Sequence, residues 1–175
     1  DNISRSHASR ELKVGRGGLR DVEFTVQLLQ LVHGRTDAFL RVRSTLEAIE
    51  ALREGGYIAR SDADQLASCY RFLRAVEHRT QLPRMRRNHL IPDKDRDLRV
   101  LGRAMDPARF PDADAIRTAL DEVRASVRAL HEDVFYRPII AATASLREDE
   151  VSLHAAGARD RLAPIGYRDP AGALT

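Results

Sequence analysis

From Leu19 to His33 apolar side chains recur at helical spacing with no proline or glycine between them, and the run closes at Gly34. Turning about 100° per residue places Leu19, Val22, Val26, Leu29 and His33 on one side, and Phe24, Leu28, Leu31 and Val32 on another. Two apolar sides predict a helix with neighbours on both, the central member of a bundle. Between them runs a narrow polar seam of Glu23, Gln27 and Gln30, with Arg20 at its margin.

The same periodicity continues down the chain. A second helix is predicted over about 44–54 on Leu46, Ile49, Ala51 and Leu52, ended by Gly55-Gly56. A third, over about 62–82, follows Ser61 and Asp64 in near capping-box spacing. It uses Leu66, Cys69, Tyr70, Leu73, Val76 and Thr80, and Pro83 stops it. A fourth takes Asp93 as its cap and carries Leu98, Val100, Leu101 and Met105. Pro107 and Pro111 bound the next turn. Asp112 then caps what reads as the longest helix, with Ile116, Leu120, Val123, Val127, Leu130, Val134 and Phe135 at near-heptad spacing up to a kink at Pro138. Residues 139–146 add a turn or two, and Glu148-Asp149-Glu150 marks a boundary. Beyond it 152–162 suggests a short helix, and Asp169-Pro170 opens another that is unfinished at Thr175, as expected of a segment from a longer chain. No strand pattern, repeat or low-complexity tract appears. The expected fold is all-α: an up-down bundle of five to six helices over 10–147. The end of an upstream connection precedes it at 1–9, and a short helical tail that begins a linker follows over 148–175.

Candidate chemistry gathers ahead of the first helix. Gly15, Gly17 and Gly18 form a loop that opens directly into it, flanked by Lys13, Arg20, Asp21 and Glu23. Asp21 falls inside the second apolar sector, and two readings stand: a first-turn carboxylate capping free N–H groups, or one wall of a phosphate- or metal-handling cleft. The glycine spacing matches neither a P-loop nor a dinucleotide fingerprint. A second polar cluster, Arg74, Glu77 and His78, lies at three- and four-residue spacing. The alternating aspartates of 93–97 lack the sixth-position glycine and twelfth-position glutamate of a calcium loop, and no metal site is expected.

Composition narrows the setting. The 175 residues are 43% hydrophobic and 31% charged, enough for one domain with a real core. No apolar run spans a membrane and no signal-peptide pattern begins the chain. The single cysteine, Cys69, cannot form an internal disulfide, which predicts a cytoplasmic setting. Formal net charge is +3, and the bases concentrate over 71–103, with Arg84, Arg86 and Arg87 at the centre. That excess suits a phosphate-bearing or acidic partner. Nucleic acid is disfavoured, because few aromatics stand among those arginines for base stacking.

The stretch Lys13-Val-Gly-Arg-Gly-Gly-Leu-Arg-Asp-Val-Glu-Phe-Thr-Val-Gln27 resembles the signature opening the helical domain of glutamine synthetase adenylyltransferases. Tyr70-Arg-Phe-Leu-Arg-Ala-Val-Glu-His-Arg-Thr-Gln81, Leu98-Arg-Val-Leu-Gly102 and Phe135-Tyr-Arg-Pro138 are similar to later segments of the same family. The resemblance implies a parent enzyme with two nucleotidyltransferase domains, each followed by such a helical domain. Arg20-Asp21 and the tail 162–174 look like the first, deadenylylating half. It further implies Mg2+ and ATP, or phosphate and ADP, as cofactors and reactants of the parent, with none for this segment alone. The family's Gly-Ser loop and Asp-x-Asp pair do not occur here. The catalytic carboxylates are therefore expected upstream, and the segment by itself is expected to be inactive.

Implied partners are glutamine synthetase, a PII-type signal protein and an upstream nucleotidyltransferase domain. The resemblance supplies the junction with that domain as the location; from their chemistry Lys13 and Arg20 are expected there to neutralise phosphate, and Gly15, Gly17 and Gly18 to permit close approach. Asp21 or Glu23 is expected to orient a base or metal water, with Gln27 expected in the same cleft. The alternatives are a non-catalytic module docking glutamine synthetase or PII through Arg84, Arg86 and Arg87, and the equivalent domain of a PII uridylyltransferase.

Overall fold

The helices form where the apolar spacing places them. In a computed structural model that describes residues 10–81 and 90–136, with side chains through Val134, the elements are α1 (Leu19–His33), α2 (Thr45–Glu54), α3 (Arg60–Gln81), α4 (Asp95–Met105) and α5 (Ala113–His131). A 3-10 turn, Ala38–Leu40, links α1 to α2, and a π-helical turn, Glu132–Tyr136, follows α5. Expectations for 1–9, for 82–89 with Arg84, Arg86 and Arg87, and for everything beyond 136 lie outside the described residues. Among those residues there is no strand, only an antiparallel bridge between Glu11 and Leu90. No helix among them is long and apolar enough to cross a membrane.

α3 is the hub. It packs against α1, α2, α4 and α5, whereas α1 meets α2, α3 and α5. Among the described residues α3 runs for 22 residues, and α5 for 19 before it passes directly into the five-residue π-helical turn Glu132–Tyr136. The shared core is built from Leu19, Val22 and Val26 of α1, Ile49 and Leu52 of α2, Leu66, Leu73 and Val76 of α3, Leu98 and Leu101 of α4, and Ile116 and Val127 of α5.

α1 is not doubly buried. Its first apolar side is sealed, but Phe24, Leu31 and Val32 on the second are 50%, 78% and 60% exposed. Core packing runs through the first side, while on the second Phe24 meets the His131 ring of α5 at 6.4 Å between centroids. Apolar spacing shows that a face is able to be buried, but a partner must exist to bury it. Val100, also read as apolar lining, is exposed on α4 for the same reason.

Two predicted caps shift. Ser61 lies inside the first turn of α3 and its hydroxyl donates to Asp62 Oδ1 at 3.3 Å. Asp93 is drawn instead into a salt bridge with Arg10 Nη1 at 3.1 Å, while Arg10 Nε donates to the Ile91 carbonyl at 2.7 Å. α4 therefore starts one residue later, behind Lys94, with no side-chain cap. Asp112 does cap α5, its Oδ1 accepting from Ala115 N at 2.8 Å. Replacing Asp112 by alanine frees that N–H and is expected to cost about 1 kcal/mol, read as a lower urea midpoint with an unchanged slope. An unchanged midpoint would show that water caps the turn equally well.

Candidate functional site at the glycine loop

The loop over 12–18 folds back on the first turn of α1. Gly18 N donates to Gly15 O (2.9 Å), Leu19 N to Leu12 O (3.1 Å), Arg20 N to Lys13 O (3.0 Å) and Asp21 N to Gly18 O (3.2 Å). A helix N-terminus binds anions through its unpaired N–H groups. Here those donors are already taken, so a backbone phosphate cradle does not form.

The glycines serve packing. Gly17 has φ +72°, and a Cβ there would overlap the backbone carbonyl of Arg124 in α5. A Cβ at Gly18 would meet the carbonyls of Leu12, Gly15 and Lys13. The close approach they permit is to protein backbone. What projects outward is side-chain charge: Lys13 half-buried, Arg16 and Arg20 exposed. Sequence reading passed over Arg16, although its place between two glycines put it at the loop's crest.

Asp21 Oδ2 accepts from Gly17 N at 2.6 Å. The carboxylate thus pairs a loop donor instead of one at its own helix end, a third solution beside the two anticipated. Below it Thr25, fully buried, donates its hydroxyl to Asp21 O at 2.7 Å and lies 2.7 Å from His131 Nδ1. Arg124, also buried, donates from Nη2 to the Glu11 carbonyl at 2.6 Å. Burial pushes its guanidinium pKa down, Asp121 and Glu11 pull it up, and Arg128 adds to the lowering. It remains a cation, joining α5 to the strand-like start of the loop. None of Thr25, Arg124 or His131 was singled out from the sequence. For Arg124 a signal existed, because Leu120, Arg124 and Val127 fall at i, i+4 and i+7 on the buried stripe of α5.

The remaining predicted residues separate. Glu23 accepts from the Tyr70 hydroxyl at 3.3 Å, a polar tie between α1 and α3. Gln27 is exposed toward the other end of α1, where it lines an open concavity of about 620 Å3 with Gln30, Leu31, Leu40 and Arg41. Gln30 Nε2 holds the following turn through the carbonyls of Leu40 (2.7 Å) and Val42 (2.9 Å). Arg74 pairs with the buried Glu77, and His78 stands exposed outside that pair.

Among the described residues no group of three or more His, Cys, Asp or Glu side chains is placed to hold a metal ion. They do not make a magnesium site, since Asp21 and Glu23 answer to separate partners. Cys69 is buried, and burial pushes its thiol up, away from the reactive thiolate.

A family model described as GlnD PII-uridylyltransferase matches residues 2–135. The chain belongs to this family. As a GlnD-family domain it is similar to bifunctional glutamine synthetase adenylyltransferase/adenylyl-removing enzymes. That of Streptomyces coelicolor is 52% identical over 174 residues, covering 99% of this chain and 17% of the relative. That of Streptomyces avermitilis is 53% identical over 173 residues, again 99% and 17%. The Corynebacterium glutamicum enzyme is 45% identical over 175 residues, 97% of this chain and 17% of the relative. The chain thus spans about 17% of the length of the curated relatives it matches. The resemblance read from Lys13–Gln27 and the later segments is borne out. In this GlnD-family domain that signature forms the loop that Arg124 and Asp21 hold against the bundle.

Proposed function

We propose that the chain is the helical domain of a bifunctional glutamine synthetase adenylyltransferase/adenylyl-removing enzyme, spanning 10–147 with a linker over 148–175. The observation that carries this is identity of 52–53% along nearly the whole chain with enzymes so named. The parent adds AMP from ATP to a tyrosine of glutamine synthetase and removes it by phosphorolysis, releasing ADP. Magnesium and nucleotide belong to a nucleotidyltransferase domain elsewhere in the polypeptide. This domain lies against that one, with the glycine loop at the junction and a PII-type protein as a regulatory partner.

In that arrangement Lys13, Arg16 and Arg20 present positive charge on a loop that cannot shift, because Gly17 and Asp21 lock it to α1 and Arg124 locks it to α5. A loop held in place keeps such cations near one point, where they can stabilise phosphate charge. Arg20→Ala in the full-length enzyme is expected to lower kcat/KM for adenylyl removal by roughly tenfold with unchanged circular dichroism. Unchanged turnover would remove the loop from the nucleotide site. Asp21→Asn keeps an oxygen for the Gly17 N–H and is expected to leave folding and most of the activity intact. A loss as deep as that of Arg20→Ala would instead place the carboxylate charge in the reaction.

The description of the matching family model favours a second reading, the equivalent domain of a PII uridylyltransferase. The two separate on substrate. The full-length enzyme should transfer AMP from labelled ATP to glutamine synthetase and no UMP from UTP to PII; the reverse result would select the second reading.

A further inference from the structure

We infer that the outer face of α4 is a docking stripe for an acidic surface of the protein substrate, engaged and released at each turnover. The inference deepens the reading of the parent proposed above and rests on it. α4 packs on α3 and α5 through the side that carries Leu98, Leu101 and Gly102, all buried. On the opposite side Arg96, Arg99 and Arg103 fall at i, i+3 and i+7 around Val100, which is 61% exposed. All three arginines are exposed, and none forms an ion pair with a described residue.

The carboxylates nearest in sequence are committed elsewhere. Asp93 pairs with Arg10 Nη1 at 3.1 Å, and Asp95 Oδ1 accepts from Arg117 Nη2 at 2.7 Å. Asp106 Oδ1 accepts from Ala108 N at 3.0 Å and from Arg109 N at 3.1 Å. Asp97 stands about 100° round the helix from Arg96, off the stripe. Arginines three and four residues apart repel one another, which opposes the helix that carries them. Carboxylates brought by a partner relieve that repulsion, and Val100 offers one apolar contact among the charges.

Size and charge together select the kind of partner. From Arg96 to Arg103 the stripe is roughly 10 Å long at the helical rise, and it holds a single apolar side chain. That is far short of the ~1,600 Å² buried by lasting complexes, whose centres are depleted of charge. Exposed cations instead steer and orient a partner that comes and goes, without holding it for long. A protein that is modified and then released meets that description. Nucleic acid would call for aromatic side chains beside the arginines to stack its bases, and α4 contains none.

The test is steady-state adenylyl removal by the purified full-length enzyme carrying Arg96→Gln, Arg99→Gln and Arg103→Gln together, or all three changed to lysine. In the glutamine variant KM for adenylylated glutamine synthetase is expected to rise roughly tenfold, with kcat and KM for phosphate within about twofold of wild type. The lysine variant keeps the charge and should stay near wild type. Raising the ionic strength from roughly 0.02 to 0.3 M should bring the wild type close to the glutamine variant. An unchanged KM overturns the proposal, as does a loss confined to kcat or a lysine variant as impaired as the glutamine one. A lowered melting temperature in the glutamine variant overturns it in favour of a segment of the same chain. Binding of a mixed-sequence oligonucleotide by wild type alone, with KM unchanged in the variant, overturns it in favour of nucleic acid. The stripe and the reading of the parent fail separately. Wild-type enzyme that removes AMP while the glutamine variant matches its KM sinks only the stripe, whereas wild-type enzyme that transfers UMP to PII and leaves glutamine synthetase untouched sinks the reading of the parent.

Discussion

Gly17→Ala is expected to destabilise the domain by about 3 kcal/mol or more, the largest effect of any substitution in the loop. Two costs coincide there. At φ +72° a side chain pays the left-handed penalty, about 1–2 kcal/mol. The new Cβ would also overlap the Arg124 backbone carbonyl, and backbone in the middle of α5 cannot step aside as a flexible side chain can. Gly56 supplies the control, because its φ of +73° is nearly the same and nothing lies within 4 Å of a Cβ built there. Gly56→Ala should therefore lose only the conformational part. Urea unfolding followed by circular dichroism measures both. If the two variants lose the same stability, Gly17 does not seat the loop on α5 and the close approach is incidental.

Arg124→Ala carries the second large effect, again about 3 kcal/mol, combining a lost hydrogen bond from a charged donor with the hollow left behind. Its guanidinium is buried and donates to Glu11 O at 2.6 Å, so truncation leaves a carbonyl without that donor. Arg124→Met refills much of the volume and should recover part of the loss, though not the carbonyl's partner. A variant within about 0.5 kcal/mol of wild type would show that water replaces the guanidinium. Arg124 and Gly17 meet directly, so the double substitution should lose less than the sum of the two. In the proposed parent, both variants should also blunt adenylyl removal, since they loosen the loop carrying Lys13, Arg16 and Arg20.

Much of the bundle was legible because helix formation is a short-range matter. Apolar recurrence between neighbouring turns marked α1 within its observed bounds, α2 and α3 within two residues, and Asp112 as the cap of α5. The segments from Lys13 to Gln27 and from Tyr70 to Gln81 together also placed the chain in its family, since a family match depends on residue order alone.

Other assignments needed the assembled molecule. Asp93 read as a cap because nothing in its neighbourhood announces Arg10, 83 residues away. Glycines suited to cradling a phosphate look the same in sequence as glycines pressed under a helix, and only the position of the Arg124 carbonyl distinguishes them. Arg124 and Thr25 are polar residues whose burial is stabilised by partners 113 and 106 residues distant. α1 carried two apolar faces, yet on one of them Phe24, Leu31 and Val32 stay half or more exposed. Which residues form helices, and which sides of them are apolar, is written in spacings a few residues long and was determined by the sequence alone. Which donor meets which carbonyl, and which apolar face is covered, depends on contacts between distant segments, and only the tertiary structure decided it.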